Sequence, residues 1–422
     1  MLTLDLIQTI AFGAIVLFVG YQVRRAIPIL GRCNIPAPVI GGLIVATAVL
    51  IARQWDVTLL KFDTTLQQHF MIAFFTTIGF GASLGLLKRG GPQVMIFFAL
   101  ATLFAVLQNV LGAGLAWLLG EHPLFGVMCG SVTLTGGPAT GLAFAPDFEA
   151  AGLTGAATIG VAAAMGGIVC GGLIGGPVGT FLVERHRLKK PAGEPHESAP
   201  PVAAEIVEQQ LTEPADEAPA GEDKRSYALL KAVSIILVAM WLGSWVSHGF
   251  AVLSQAMIDL GYPRLAFKLP AYIGAMLVAS VLRNFDDRTG WLGLSQQTID
   301  DLGNVALAFF LVLALMTLEL WKLAGAALPL VVILVAQVAM VALVCFWPLF
   351  QLMGRDYDAA IMGSGFCGFM LGTTANAMAN MEALVDRYGP APRAFLVVPM
   401  VGAFFVDFTN ALIITGCLNF YR

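Results

Sequence analysis

The chain has 422 residues, of which 58% are hydrophobic and only 12% are charged, with a formal net charge of −4. Soluble domains carry about 25% charged residues, so this composition excludes an ordinary soluble fold. Uncharged apolar runs long enough to cross a bilayer recur, and the sequence has no basic patch with interleaved aromatic residues. These features predict an all-α polytopic membrane protein that does not bind nucleic acid.

The first half of the chain contains five predicted spans. The first span has no basic residues before it and is followed by Arg24 and Arg25, which predicts a retained span with its amino end outside. The spans of this half cover residues 3–23, 36–52, 67–87, 93–119 and 152–183, and a glycine-rich polar segment covers 124–145.

The first polar segment contains the stretch SVTLTGGPATGLAF, from Ser131 to Phe144. Irregular backbone at membrane depth is tolerated only inside protein or beside a watery cavity, so this segment predicts a re-entrant hairpin. Gly136 and Gly137 provide the unusual dihedrals of its tip, and Pro138 suits the first turn of the returning half-helix. Predicted substrate contacts at this tip are Ser131, Thr133, Thr135, Gly136, Gly137, Thr140 and Gly141.

Residues 186–226 form the one clearly non-membrane stretch. Its part from 191 to 223 contains nine acidic residues, six prolines and no Lys or Arg. Such a composition cannot bury enough apolar surface to fold, which predicts a disordered cytoplasmic linker. The linker separates an N-terminal repeat, residues 1–185, from a C-terminal repeat, residues 227–422.

The second half repeats the order of the first. Its predicted spans cover 228–258, 267–283, 302–321, 325–352 and 392–418, and its polar segment covers 357–382. Ala73–Phe75 recurs as Ala308–Phe310, and Gly137 recurs as Gly372, both 235 residues later. Because each half has five spans, the second copy enters the membrane from the opposite side, as in the inverted repeats of secondary transporters. The sequence therefore predicts about ten transmembrane helices in two inverted-topology five-span repeats, each with a re-entrant hairpin.

The second polar segment reads GSGFCGFMLGTTANAMANM, from Gly363 to Met381. Two hairpin tips that enter from opposite faces meet near the midplane, where helix N-termini favour an anion and polar oxygens coordinate Na⁺. Predicted substrate contacts at this tip are Gly372, Thr373, Thr374 and Asn376. The alternative is that the glycines of both segments only allow close helix packing.

Charged residues inside spans are costly and usually functional. Asp407 lies near the middle of the last span, and Asn410 follows three residues later on the same helical face. The predicted Na⁺ ligands are Asp407, Asn410, Asn380, Thr374 and Gly137. The alternative for Asp407 is a structural polar contact.

Other polar and small residues of the spans have simpler interpretations. The amides Gln108, Asn109 and Gln337 are expected to form only interhelical hydrogen bonds. A stripe of glycines at four-residue intervals predicts close helix packing; its members are Gly167, Gly171, Gly175 and Gly179.

The distribution of basic residues predicts the orientation. With the amino terminus outside, most Lys and Arg fall on the cytoplasmic side, and both termini lie outside. No Lys or Arg lies at the centre of a predicted span. An anionic substrate would therefore be neutralised by helix termini, by co-bound Na⁺, or by a basic residue near a hairpin mouth, such as Arg387 or Arg393.

The remaining chemistry of the sequence is sparse. Six cysteines are scattered without a C-x-x-C pair, and the five histidines show no H-x-x-x-H spacing, which argues against a metal or disulfide framework. An intramembrane enzyme is poorly supported because no nucleophile–base pair is recognisable.

Five stretches resemble the bacterial sodium/glutamate symporter family, which is related to the sodium/citrate symporters. They are NIPAPVIGGLIVA, FMIAFFTTIGF, GGLIGGPV, GRDYDAA and FLVVPMVGAFFVDFTNAL. The resemblance implies Na⁺-driven uptake of L-glutamate across the cytoplasmic (inner) membrane, no organic cofactor and a homodimer. By analogy with the citrate symporters, it also implies elevator-like alternating access.

The hairpin tips differ from the family pattern. The family's first loop commonly reads Gly-Gly-His-Gly-Thr-Gly, whereas this chain has Pro138 and Ala139 at the third and fourth positions. The second loop differs at Met370, Thr373, Ala375 and Asn376. Two alternatives therefore stay open: Na⁺-coupled transport of another amino acid or small carboxylate, and an ion channel. Family residues that carry over directly are Gly136, Gly137, Thr140, Gly141, Gly372, Thr374, Asn380 and Asp407.

Overall fold

The computed structural model is almost entirely helical, and it describes residues 2–32, 35–55, 60–85, 91–188, 222–260, 269–323 and 325–421. Within these residues, the β-structure is limited to two paired parallel strands of two residues each, Leu2–Thr3 and Leu60–Lys61. The prediction of an all-α protein is therefore confirmed.

The first half of the chain forms helices α1 to α8. They are α1 (Leu6–Ala26), α2 (Pro28–Arg32), α3 (Ala37–Arg53), α4 (Thr65–Gly81), α5 (Gly91–Leu118), α6 (Pro123–Val127), α7 (Gly137–Ala150) and α8 (Ala156–Arg185). A π-helical turn, Met128–Val132, continues α6.

The second half forms helices α9 to α17. They are α9 (Glu222–Asp259), α10 (Ala271–Thr289), α11 (Gln296–Met316), α12 (Ala327–Val344), α13 (Phe350–Leu352), α14 (Tyr357–Leu371), α15 (Thr374–Tyr388), α16 (Pro392–Met400) and α17 (Val406–Tyr421). Three shorter turns connect them, a 3₁₀ turn at Leu320–Leu323 and π-helical turns at Cys345–Leu349 and Val401–Phe405.

Local sequence signals set several helix ends. At the start of α1, the Gln8 amide donates to the Asp5 carboxylate at 2.8 Å, and the Asp5 amide donates to the Gln8 side chain at 3.1 Å, which forms a capping box. At the start of α14, the Ala359 amide donates to the Asp356 carboxylate at 2.9 Å. Gly290, with φ of 62°, follows the end of α10. Short-range chemistry alone accounts for these three boundaries.

Six of the described helices are long and apolar enough to cross a membrane. They are Leu6–Ala26, Gly91–Leu118, Ala156–Arg185, Ser226–Asp259, Gln296–Met316 and Ala327–Leu352. All ten predicted spans overlap helical segments. However, α3 and α4 have only 17 residues each, and a π-helical turn interrupts the last predicted span.

The predicted linker at 186–226 falls mainly on residues 189–221, which lie outside the described ranges. Helix α9 begins at Glu222, so the last residues of the predicted linker are helical. Lys and Arg have high helix propensity, and they extend α9 beyond its apolar run.

The helices pack as two bundles. In the first bundle, α4 contacts α10 and α11, α9 contacts α10, and α1 and α3 pack on each other and on α11. In the second bundle, α8 contacts α7, α12, α14 and α15, and α5 contacts α6, α12, α16 and α17. Both polar segments therefore belong to the second bundle.

Aromatic side chains join the two bundles. The ring of Tyr272 on α10 lies 5.0 Å from that of Phe75 on α4 and 5.2 Å from that of Phe144 on α7, between centroids. All three side chains are buried. Such aromatic pairs stabilise a contact by about 0.5–1.5 kcal/mol beyond the area they bury.

Each polar segment is a broken pair of helices. In the first pair, Gly130 leaves the helical conformation at φ −103° and ψ −133°, and α7 restarts at Gly137. In the second pair, Gly372 at φ −152° and ψ −103° separates α14 from α15. Residues 130–137 are termed the first break, and Gly372–Thr373 the second break.

The glycine stripe of α8 faces the second broken pair. A Cβ atom at Gly167 would overlap the carbonyl oxygen of Leu371, and one at Gly175 would overlap the side chain of Asn380. At Gly179, a Cβ atom would overlap Leu384. The prediction that this stripe serves close helix packing is confirmed.

Replacing Gly167 by alanine should destabilise the protein because its Cβ atom meets backbone that cannot move cheaply. Overpacking of this kind costs about 1–3 kcal/mol. On the same helix, a Cβ atom at Gly172 meets nothing within 4 Å. Gly172→Ala should therefore leave stability unchanged or raise it by up to about 1 kcal/mol. Thermal unfolding of both variants in detergent tests this, and equal melting temperatures would contradict it.

Candidate functional site

The two breaks touch each other, although they are 235 residues apart in the sequence. The Cβ position of Gly137 lies 3.8 Å from the carbonyl oxygen of Gly372 and 3.9 Å from the Thr373 methyl group. Gly137 has φ of 69°, a conformation that residues with a side chain rarely adopt. Helices α7 and α15 both begin here, so their first-turn amides lie beside the contact.

The side chain of Gln108, on α5, links the first break to the last turn of α14, directly before the second break. Its Oε1 accepts a hydrogen bond from Thr135 Oγ1 at 2.6 Å, and its Nε2 donates to the Met370 carbonyl oxygen at 2.9 Å. Gln337 of α12 donates to the backbone carbonyl oxygen of Gln108 at 2.7 Å. Gln108 and Gln337 are both fully buried, where the low local dielectric strengthens hydrogen bonds.

A second amide network holds the first break. The backbone amide of Ser131 donates to Asn109 Oδ1 at 2.9 Å, and its carbonyl oxygen accepts from Asn410 Nδ2 at 2.9 Å. Asn109 and Asn410 are 2% and 1% exposed. The Ser131 carbonyl oxygen also accepts from the Gly136 amide at 3.0 Å, so side chains supply the partner of the Ser131 amide and a second partner of its carbonyl oxygen.

Two buried oxygen atoms in this network have no hydrogen-bond partner among the described residues. They are Ser131 Oγ and Asn410 Oδ1, on residues that are bonded directly to each other. A buried unpaired acceptor costs about 1–3 kcal/mol. Hydroxyl and amide oxygens are suitable ligands for a hard cation, which would remove this cost.

Asp407 stands at the start of α17, directly after the π-helical turn Val401–Phe405, and is half-buried. It precedes Asn410 by three residues, about one helical turn. The ion pairs found among the described residues involve other carboxylates and not Asp407. An ionised carboxylate inside a membrane is costly unless a positive charge compensates it, and a bound cation can supply that charge.

The polar side chains of α15 mostly anchor it. Thr374 Oγ1 donates to the Gly402 carbonyl oxygen at 3.1 Å, in the π-helical turn before Asp407. Asn376 and Asn380 donate to carbonyl oxygens of α8 at 2.8 and 3.0 Å, those of Ile168 and Gly171. Asn376 Oδ1 is buried without a partner among the described residues. Thr373 caps the helix by accepting from the Asn376 amide at 3.4 Å.

In the first broken pair, several predicted site residues make local contacts. Thr133 Oγ1 donates to the Met128 carbonyl oxygen at 2.7 Å, so its hydroxyl is bound by the π-helical turn that precedes it. A Cβ atom at Gly141 would press on the Thr133 methyl group, and one at Gly136 would press on Thr140. Thr133 and Gly141 thus pack inside the pair, whereas Thr135 and Gly137 lie where the breaks meet.

The amides Gln108, Asn109 and Gln337 do more than the sequence analysis assigned to them. Interhelical bonding is confirmed, but Asn109 also bonds the irregular backbone of the first break, and Gln108 bonds a carbonyl in the last turn of α14 beside the second break. The available signal was an adjacent pair of amides in an otherwise apolar helix, about 15 residues before the glycine-rich segment that begins at residue 124.

The two arginines suggested for charge balance lie away from the breaks. Arg387 pairs with Glu184 at 3.4 Å, and it is 13 residues along α15 from Thr374, a rise of about 20 Å. Arg393 pairs with Asp356 at 2.5 Å, at the end of α14 opposite to the second break. Charge balance at the breaks therefore depends on helix termini or on a bound cation.

Replacing Gln108 by leucine should destabilise the protein more than the same change at Gln337. Gln108→Leu leaves the Thr135 hydroxyl and the Met370 carbonyl without this partner, at about 1–3 kcal/mol each. Gln337→Leu removes one hydrogen bond, to the Gln108 carbonyl oxygen, which can still accept from an amide of its own helix. It also removes Gln337 Oε1, a buried oxygen without a partner among the described residues. Thermal unfolding in detergent measures the difference; a larger loss for Gln337→Leu would contradict the assigned role.

Comparison with known proteins identifies the family. Residues 2–390 match the sodium/glutamate symporter family. A sodium/glutamate symporter of Escherichia coli K12 is 38% identical over 418 residues, which cover 98% of this chain and 97% of that protein. One from Haemophilus influenzae is 38% identical over 414 residues, with 98% and 96% covered. The solved structure of a sodium proton antiporter from Methanocaldococcus jannaschii aligns with this one at a TM-score of 0.39 and 14% sequence identity. The alignment covers 99% of this chain and 98% of the antiporter chain. With a family match and relatives that span nearly its full length, the chain belongs to the sodium/glutamate symporter family, a family of transporters.

Proposed function

We propose that this protein is a secondary active transporter that couples Na⁺ influx to uptake of L-glutamate across the bacterial cytoplasmic membrane. The observation that carries the proposal is the contact of Gly137 with Gly372 and Thr373, inside a multi-pass membrane protein of this family. The name that the 38% identical relatives carry supplies the substrate and the coupling ion.

The proposed topology is two inverted repeats of five spans, residues 1–185 and 227–422, with both broken pairs re-entrant. The order of elements supports it, because in each half a broken pair precedes the last predicted span, which is α8 in the first half and the interrupted α16 and α17 in the second. Opposite insertion follows from the odd number of spans per repeat. Both termini are then outside and the linker is cytoplasmic.

In this proposal, helix N-termini hold the carboxylates of the substrate. Each N-terminus carries about half a positive charge, and those of α7 and α15 converge where the breaks meet. Hydroxyl groups and backbone amides of the breaks add hydrogen bonds. The substrate contacts best supported by position are Ser131, Thr135, Gly136, Gly137, Thr140, Gly372, Thr373 and Thr374.

We assign Na⁺ to the contact between Ser131 and Asn410, with Asp407 supplying the compensating charge. The unpaired oxygens of the first two residues support this assignment. Asn380 is less well supported, since its amide nitrogen bonds the Gly171 carbonyl within the glycine stripe. Coupling then has an electrostatic cause, because an anion near a membrane carboxylate is tolerated only when a cation is also bound.

The proposed transport motion is elevator-like. Both breaks, and the helices that begin and end at them, lie in the second bundle. This bundle can therefore carry the site as one unit past the first bundle. The first bundle would then be the static part and the natural place for a homodimer contact.

Uptake into proteoliposomes tests the function. With an inward Na⁺ gradient, labelled L-glutamate should accumulate, and replacing Na⁺ by K⁺ should abolish accumulation. Aspartate, glutamine and citrate serve as competitors. Na⁺-dependent uptake of a competitor without glutamate uptake would favour a different substrate, as the altered loop residues allow. Single-channel currents without coupled uptake would instead favour a channel.

Asp407→Asn should preserve folding but raise the Na⁺ concentration for half-maximal uptake by about tenfold, which corresponds to about 1.4 kcal/mol of lost ion binding. The matched control is Asp386→Asn, the same change at an exposed position of α15. The measurement is glutamate uptake as a function of Na⁺, with thermal unfolding to verify folding. Wild-type Na⁺ dependence in Asp407→Asn would remove this residue from the ion site.

A further inference from the structure

A cleft of about 210 Å³ opens between the two bundles. Glu149 of α7 and Thr158 of α8 line it from the second bundle, and Glu319 and Lys322 line it from the first. Its volume equals that of about seven liquid waters, which suits a small solute.

The charged side chains that line the cleft are one ammonium group, that of Lys322, and two carboxylates, those of Glu319 and Glu149. Lys322 pairs with Glu319, and their side chains are 40% and 44% exposed. The hydrogen bond to Glu319 is the main cause that raises the pKa of Lys322, and the charges of Glu319 and Glu149 add to it, while burial opposes it. Lys322 therefore remains an ammonium group at neutral pH.

Contacts across the bundles fix this arrangement. Thr158 Oγ1 donates to the carbonyl oxygen of Glu319 at 3.1 Å. The Cβ position of Gly155, at the start of α8, lies 3.0 Å from Lys322 Cβ. The charged side chains thus stand on backbone that both bundles hold in place, although their charged ends remain accessible.

Helix α7 connects the cleft with the first break. Leu142 lines the cleft five residues after Gly137, a rise of about 8 Å, and Glu149 stands about 18 Å from Gly137. A solute in the cleft is therefore beside the helix whose N-terminus meets the second break. Arg387 and Arg393, in contrast, are paired at the far ends of the second broken pair.

We propose that this cleft is an access subsite for the zwitterionic head group of an amino acid. The α-carboxylate of the amino acid displaces Glu319 as the ion-pair partner of Lys322, and Glu149 pairs with the α-ammonium group. A half-exposed ion pair is worth only about 0–1 kcal/mol, so it opens readily for such an exchange. The inference rests on the proposed function and specifies how an amino acid reaches the breaks.

The charge of the lining also defines what the cleft rejects. Glu149, Glu319 and Lys322 together carry one net negative charge. A dicarboxylate without an ammonium group has no cation that can pair with Glu149, and the net negative charge of the lining repels it. The cleft therefore favours glutamate over glutarate, which is glutamate without its α-amino group.

The test is uptake of labelled L-glutamate by the full-length protein in proteoliposomes, with glutarate as competitor. Glu149→Gln and Lys322→Gln should each raise KM about fivefold with little change in maximal rate, and Glu149→Gln should also strengthen inhibition by glutarate relative to glutamate. Glu319→Gln breaks the ion pair but frees Lys322, so KM should stay the same or fall. Lys61→Gln and Glu382→Gln, at exposed positions outside the cleft, are the controls.

The outcomes separate the subsite from its alternatives. If Lys322 serves only a structural ion pair, Glu319→Gln and Lys322→Gln should lower the melting temperature and the rate alike, and Glu149→Gln should do nothing; that pattern overturns the subsite. Wild-type KM in both Glu149→Gln and Lys322→Gln also overturns it, while the proposed function stands. Absence of Na⁺-dependent glutamate uptake by the wild-type protein would overturn the proposed function and the subsite together.

Discussion

Pairing of backbone polar groups at two interrupted helices is the constraint on which the rest of this structure depends. An interruption leaves amides and carbonyl oxygens without intrahelical partners, and a bilayer offers no water to replace them. Buried side-chain amides take over this role. Gln108 links Thr135 of the first interruption to the last turn of α14 beside the second, and Asn109 and Asn410 bond the amide and the carbonyl oxygen of Ser131. These side chains satisfy backbone groups close to the contact of the two breaks.

The same networks leave some oxygen atoms without a hydrogen-bond partner among the described residues, and the proposed Na⁺ site rests on this incomplete pairing. A purely structural network gains stability by satisfying every buried acceptor. Here Ser131 Oγ and Asn410 Oδ1 have no hydrogen-bond partner among the described residues. Asn410 also lies one helical turn from Asp407, a carboxylate that forms none of the ion pairs found in the described part of the chain. A bound cation would complete the network, so stability and ion occupancy are linked through the same atoms.

Charge is distributed unevenly between the breaks and the surface of the bundles. Where the breaks meet, the favourable charge for an anion comes from helix N-termini, which are fixed in direction and need no side chain. Three basic residues, Arg387, Arg393 and Lys322, form ion pairs away from the breaks. In the proposed function, binding energy at the breaks changes with the bound cation, and the proposed access subsite recognises an approaching amino acid through the accessible charges of the cleft.

The sequence by itself determined the helical class, the positions of the apolar runs and the two interrupted segments, because these follow from local hydropathy and from glycine conformation. It also determined the packing role of the stripe from Gly167 to Gly179, since small residues at four-residue spacing have one common use. Only the tertiary structure decided which polar side chains serve the breaks. Gln108 and Thr133 show why: a buried amide gains its role from backbone that another helix brings to it, and a threonine hydroxyl can be taken by its own helix. The placement of Arg387, Arg393 and Lys322 likewise depended on long-range packing, which no local pattern encodes.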